Sequence, residues 1–204
     1  MSLLINDLEL AKRIRADREA TDGAKHDEVW DGVYVMSPLP NIEHQLFVNR
    51  LERVFIAVVD EPAGDMVLPG VNVSERVEGW EKNYRAPDVA VILHDNPGRH
   101  CDTHWCGGPD FLVEILSKND QARNKLAFYG AVGVRELLIV GRSPWELELY
   151  SLVDGLLNLI GRSTLKDPQN LVSRVLPIVF RIVEGSDRPL IEVTTIDRRQ
   201  SWMI

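Results

Sequence analysis

The sequence predicts an α/β domain in which helices flank a mixed central sheet and extra β-hairpins are attached. Three observations predict it. Apolar runs at 88–93, 111–116 and 135–140 are too continuous for strands with one wet face, so those strands are covered on both sides. A helical pattern at 121–132 separates the second run from the third, as a right-handed crossover between strands would. Asp31-Gly32 and Val153-Asp154-Gly155 each split a pair of strand-like runs, the mark of a tight hairpin turn.

Taken in order, residues 3–20 predict a helix. Leu3, Leu4, Leu8, Leu10, Ile14 and Ala20 fall on one face, with Arg13, Arg15 and Arg18 solvated. Glu28-Val29-Trp30 and Val33-Tyr34-Val35-Met36 form the arms of the first hairpin, closed by Pro38-Leu39-Pro40. Asn41 is placed to cap a helix from Ile42 to about Val59, with His44 in its first turn. Strands follow at 65–68 and 71–74, then a polar loop at 75–83. A Gly-, Pro-, His- and Cys-rich loop at 94–108 joins the first two apolar strands, and Gly133 ends the 121–132 helix. Beyond the third strand come a hairpin over 146–161, short strands at 172–174 and 178–183, and a charged tail at 185–204 expected to be peripheral. No repeat or linker interrupts the chain, so 1–204 reads as one domain.

Bulk properties narrow the function classes. At 204 residues the chain buries enough surface to need no staples. Its two cysteines, Cys101 and Cys106, sit in one polar segment and form no disulfide framework; a reducing, cytoplasmic setting is expected. No apolar run approaches the roughly 18 residues of a membrane helix, so no membrane partner is expected. A net charge of −8 argues against a non-specific nucleic-acid coat, but leaves room for acids clustered at a metal.

Two acids stand in apolar strands. Asp88 opens Val89–Leu93, and Glu114 lies inside Phe111–Leu116. A carboxylate there is costly unless it is paired, hydrogen-bonded or bound to metal. If the strands are neighbours, the two carboxylates meet and repel, and a hard dication such as Mg²⁺ resolves the conflict. Lys125 then orients or helps deprotonate a metal-bound water, or stabilises phosphate charge. The alternative is structural: Asp88 caps a strand and Glu114 pairs with a buried arginine. Residue chemistry alone leaves both open. Asp110, in a second Pro-Asp pair, lies four residues before Glu114, about 13 Å away along a strand, and reads as the residue that starts it. The segment His100 to Cys106 holds zinc-type ligands, but their spacing matches no standard site and an ordered loop is the simpler reading.

The ordered set goes further. Glu28-Val29-Trp30-Asp31-Gly32-Val33, Met36-Ser37-Pro38 with His44, and Tyr84-Arg85-Ala86-Pro87-Asp88-Val89 resemble the PD-(D/E)XK nuclease superfamily. So do Gly108 to Ser117, Lys125 to Tyr129, Gly133 to Val140 and Leu147-Glu148-Leu149-Tyr150. Within it, the chain is similar to a bacterial family of restriction endonucleases, and the resemblance covers most of the chain. It implies a restriction-endonuclease-like fold and Mg²⁺- or Mn²⁺-dependent hydrolysis of DNA phosphodiesters. It also implies roles: Asp88, Glu114 and the Ile115 carbonyl as metal ligands, Lys125 as the catalytic lysine, and Glu28 as an additional acid. His44 matches a frequent family histidine and is assigned, with Lys118, to substrate binding. Two departures bear on this. The superfamily lysine lies two residues after the acid, where this chain has Leu116, so the lysine must come from the helix. Lys118 replaces a usual proline and rivals Lys125. A nuclease-fold binding protein without activity, and an RNA or branched substrate, are the alternatives. A homodimer is expected, because enzymes that cut both strands often act as two-fold pairs.

Overall fold

The computed structural model describes residues 3–21, 23–24, 26–37, 39–117 and 120–204. The chain opens with β1 (Leu3–Ile5), α1 (Leu8–Ala20), β2 (Glu28–Trp30) and β3 (Val33–Met36). After these come α2 (Ile42–Ile56), β4 (Met66–Pro69), β5 (Val73–Ser74) and β6 (Val89–Ile92). The loop hairpin supplies β7 (Arg99–His100) and β8 (Trp105–Cys106), before β9 (Phe111–Ile115). A 3₁₀ turn, Ala122–Lys125, runs into α3 (Leu126–Val132), then β10 (Glu136–Arg142), β11 (Trp145–Val153) and β12 (Leu156–Thr164). The chain closes with β13 (Leu171–Val172), β14 (Ile178–Val183), β15 (Leu190–Thr195) and β16 (Ser201–Met203).

The central sheet has the order β12-β11-β10-β9-β6-β4. β9 and β10 pair in parallel, and the other four pairings are antiparallel. The sheet is therefore mixed, with α3 in the one crossover. Every residue of β6 and β9 is buried, as continuous apolar runs require. One face packs on α2 and on the sheet β13-β14-β15-β16: Phe47, Leu51 and Phe55 meet Val91, Phe111, Phe180 and Ile191. On the other face Ala90, Leu112, Leu137 and Ile139 pack under Tyr129 of α3. Phe55 is fully buried; truncating it to alanine should cost about 3–5 kcal/mol in lost transfer and cavity formation.

The local signals hold where chemistry forces them. Asp31 and Gly32 both take positive φ, 49° and 86°, as do Asp154 and Gly155, 51° and 77°. A two-residue hairpin turn of this kind tolerates Asp-Gly and few other pairs. The Asn41 side chain accepts the His44 N–H at 2.8 Å and starts α2.

Three expectations are corrected. Leu3–Ile5 is a strand, not the first helical turn: it pairs antiparallel with β3, Leu3 against Met36. The helix begins later because the Asp7 carboxylate caps it, accepting the Glu9 and Leu10 N–H groups at 3.0 Å each. Arg18 is not solvated either; its guanidinium holds buried Asp27 and the Ser37 carbonyl, tying α1 to the hairpin. Lastly, the tail is not peripheral. β15 pairs along its length with β14, and Ile191 and Val193 are fully buried in the core. Their period-2 spacing was masked by the charged residues around them.

Candidate active site

Strand register assembles the site. Val89 lies opposite Val113 in the β6–β9 ladder, which sets Asp88 against Glu114 at the ladder's end. Glu114 shares a face with Leu112, two residues earlier, and so points toward the α3 side. There the Lys125 ammonium donates to both Glu114 oxygens, at 2.9 and 3.1 Å. Tyr129, one turn on along the helix, donates its hydroxyl to Glu114 Oε1 at 2.5 Å.

Glu28 comes from a different sheet. β2 docks on the main body through Val29, whose carbonyl accepts the Tyr84 N–H at 2.8 Å. Glu28 Oε1 accepts from Lys125 Nζ at 2.7 Å and from the Ala86 N–H at 2.9 Å, while the Trp30 indole N–H donates to Oε2 at 2.5 Å. The buried Arg85 guanidinium secures this junction. It lies 4.9 Å from the Trp30 ring centre and 4.2 Å from that of Phe128, and donates to the Val29 carbonyl at 2.9 Å. Asp88 is held from two sides: Oδ2 accepts the Ile115 N–H at 2.6 Å, and His44 Nε2 is 3.1 Å from Oδ1. Among the described residues, buried His44 Nδ1 has no hydrogen-bond partner.

The electrostatics are lopsided. Burial pushes the Glu114 carboxyl up to about 8; Lys125 opposes this, while the nearby Asp88 and Glu28 charges add to it. Burial would lower Lys125, but the attraction of Glu114 and Glu28 outweighs it and holds the ammonium protonated. Burial, then the Glu114 charge, keeps the Tyr129 hydroxyl on its proton. Two carboxyl groups thus share one lysine, with the Asp88 charge close to Glu114.

The cluster faces a cleft of about 170 Å³, lined by Glu28, His44, Asp88, Glu114, Ile115 and Lys125, with Asn41, Gln121 and Arg142 at its margin. Among the described residues no group of three or more His, Cys, Asp or Glu forms a closed metal-holding set. The donors present are instead of the open kind: two adjacent carboxylates and a strand-end carbonyl, all oxygen, in a site with excess negative charge. That chemistry fits a hard dication that keeps waters and phosphate oxygens in its shell.

Of the residues singled out in the sequence, Asp88, Glu114, Ile115, Lys125, Glu28 and His44 therefore converge on one cleft. Lys118 lies outside the described residues. Leu116 packs into the apolar cluster beneath α3. Asp110 is buried away from the cleft, held by Arg135 at 2.9 Å, the Leu93 N–H at 2.8 Å and the Asn96 amide at 2.7 Å. In the 94–108 loop His104 stacks on Trp80 at 4.8 Å, its Nε2 lies 2.7 Å from the Arg76 carbonyl, and both cysteines are free thiols. Sequence reasoning assigns no role to the Tyr129 hydroxyl, the Trp30 indole or Arg85. The signals existed: Trp30 is two residues from Glu28 on the same strand face, and Tyr129 is four from Lys125.

Comparison with known proteins identifies the family and the fold. A family model described as Uma2, putative restriction endonuclease, matches residues 15–183. Among solved structures, the chain is similar to a putative nuclease belonging to DUF820 from Anabaena variabilis ATCC 29413, with a TM-score of 0.52 and 16% identity. That match covers 65% of this chain and 75% of the other. No curated protein matches by sequence.

Proposed function

The chain belongs to the Uma2 family of restriction-endonuclease-like proteins, and from that membership and the cleft we propose a metal-dependent endonuclease that hydrolyses DNA phosphodiester bonds. The observation that carries the reading is Lys125: its ammonium lies between Glu114 and Glu28, in an open cleft that Asp88 also lines. In this reading a lysine from the 3₁₀ turn before α3, rather than from the helix itself, takes the place that Leu116 cannot fill.

Asp88, Glu114 and the Ile115 carbonyl would hold Mg²⁺ or Mn²⁺; when bound, the ion supplies positive charge at the phosphate and a more acidic water. The side chains do the rest. Lys125, kept protonated by its two carboxylates, serves as a hydrogen-bond donor and charge for the phosphate rather than as the base. Glu28 holds that ammonium in place, and is itself held by Trp30 and the Ala86 N–H. His44 fixes the Asp88 carboxylate, whose second oxygen is fixed by the Ile115 N–H. Lys118 is a further phosphate contact by its sequence position alone. Free thiols at Cys101 and Cys106 suit a cytoplasmic setting, and a two-fold dimer would bring two clefts to one duplex.

The deciding experiment is a cleavage assay on single-stranded, duplex and branched DNA and on RNA, with Mg²⁺ or Mn²⁺, comparing wild type with Glu114→Ala. The expected result is metal-dependent cutting of DNA that Glu114→Ala abolishes. Cutting confined to RNA or to junctions would move the substrate. Metal binding without cutting of any substrate would instead mark a nuclease-fold binding protein.

A further inference from the structure

The Leu147-Glu148-Leu149-Tyr150 motif takes no part in the cleft, yet Glu148 is 1% exposed. Strand register relates it to the site. Ile139 of β10 pairs with Glu114 on one side and with Glu148 on the other. The two glutamates therefore occupy one row across β9, β10 and β11, separated by two strand spacings, about 10 Å. The 3₁₀ turn before α3 lies over that row and places one cation on each end. Lys125 reaches Glu114 at 2.9 Å; Arg123, two residues earlier, donates through Nε to Glu148 Oε2 at 3.0 Å and through Nη2 to Glu146 Oε1 at 3.1 Å.

Glu148 is itself immobilised by others. Arg162 of β12 donates to its Oε1 at 3.1 and 2.5 Å, and the Tyr150 hydroxyl donates to its Oε2 at 3.0 Å. The turn spans four residues, and among the described residues no side chain caps the junction at Lys125. On its far side Tyr129 anchors α3 to Glu114 and the apolar cluster, so the Arg123 pair fixes the near side. Asp120 secures only the approach, through the Ser117 and Ala122 N–H groups.

We propose that Glu148 is a positioning residue: acting through Arg123, it sets the turn so that Lys125 lands between Glu114 and Glu28. The kinetic consequence rests on the nuclease reading; the geometric one does not.

The test labels lysines of the folded full-length chain with an amine-reactive acetylating reagent and reads each site by mass spectrometry, with Tm measured alongside. In wild type Lys125 is protected, while exposed Lys12, Lys82 and Lys166 label freely. In Arg123→Met and Glu148→Gln, Lys125 labelling should rise while those three stay unchanged, and Arg123→Lys should restore part of the protection. Arg162→Met is the control: it removes an arginine from the same carboxylate without touching the turn, so Lys125 should stay protected. In the cleavage assay Arg123→Met should lower kcat, by up to about a hundredfold, with KM little changed. The proposal is overturned if Lys125 stays protected in Arg123→Met, or if Arg162→Met exposes it equally. Should Glu148→Gln fail to fold, Arg123→Met, at a half-exposed side chain, still decides. A wild type that cleaves nothing sinks the nuclease reading and leaves the labelling result standing.

Discussion

Glu114 and Glu148 stand in one row of one sheet, both almost closed to solvent, and their environments drive them in opposite directions. Burial pushes Glu114 up to about 8, and the Lys125 charge fails to offset it with Asp88 and Glu28 nearby. Burial also acts on Glu148, but hydrogen bonds from Arg123, Arg162 and Tyr150 outweigh it and hold its carboxyl below the usual value. The difference lies in desolvation, heavier at Glu114, and in the ratio of charges. Glu148 and Glu146 share two guanidiniums, whereas Glu114 and Glu28 share one ammonium. A buried acid saturated with cations is a strut; one left short of positive charge is a place for a cation to bind.

The largest test of that contrast is catalytic. Lys125→Met should lower kcat by about 10²–10³-fold, as removing one donor from a developing anion does. Wild-type rates in that variant would make the Glu114 lysine as structural as the Glu148 arginines. Metal binding comes next. Burial raises the Glu114 carboxyl, so a proton competes with an ion for its oxygens, and Mg²⁺ or Mn²⁺ affinity should rise with pH until Glu114 is ionised. Titration calorimetry in buffers of different ionisation enthalpy would show the released proton, and Glu148→Gln should still show it. Thermal unfolding then separates the pair: Glu148→Gln should destabilise by about 1.5–3 kcal/mol, because two arginines lose a charged acceptor. Glu114→Gln should cost less than that, because a carboxyl with a raised pKa is already partly neutral, and an equal loss there would erase the distinction. The smallest effects are the pH slopes of the metal-free protein. The Glu114 pKa is raised, so its contribution is full below the unfolded value of 4.5 and is lost as pH climbs through about 8. The Glu148 pKa is lowered, so its contribution is full above 4.5 and is lost in acid. Tm measured against pH should flatten on the alkaline side in Glu114→Gln and on the acid side in Glu148→Gln.

Much of the site was legible because its signals are local and its chemistry constrains residue type. An acid in an apolar strand needs a reason, and two such acids with a lysine on the next helix fit few structures. The Asp-Gly turns and the Asn41 cap were legible for the same reason: each is set by residues within a few positions. What escaped depended on distant partners. Leu3–Ile5 has helical spacing, and only its pairing with β3 makes it a strand. The charged flanks of 190–195 hid a strand that β14 completes. Glu148 was one residue of a motif with no role, because its meaning lies in a register that spans β9 to β11.

The ion pair between Lys125 and Glu28 joins side chains 97 positions apart. Closing so long a loop is entropically slow, and contacts of that separation form after local ones. During synthesis the N-terminal hairpin emerges first, yet its acid has no ammonium to meet until α3 has been made. Recovery of activity in a refolding experiment should therefore report the docking of the first strands onto the sheet that carries Lys125 and Glu114.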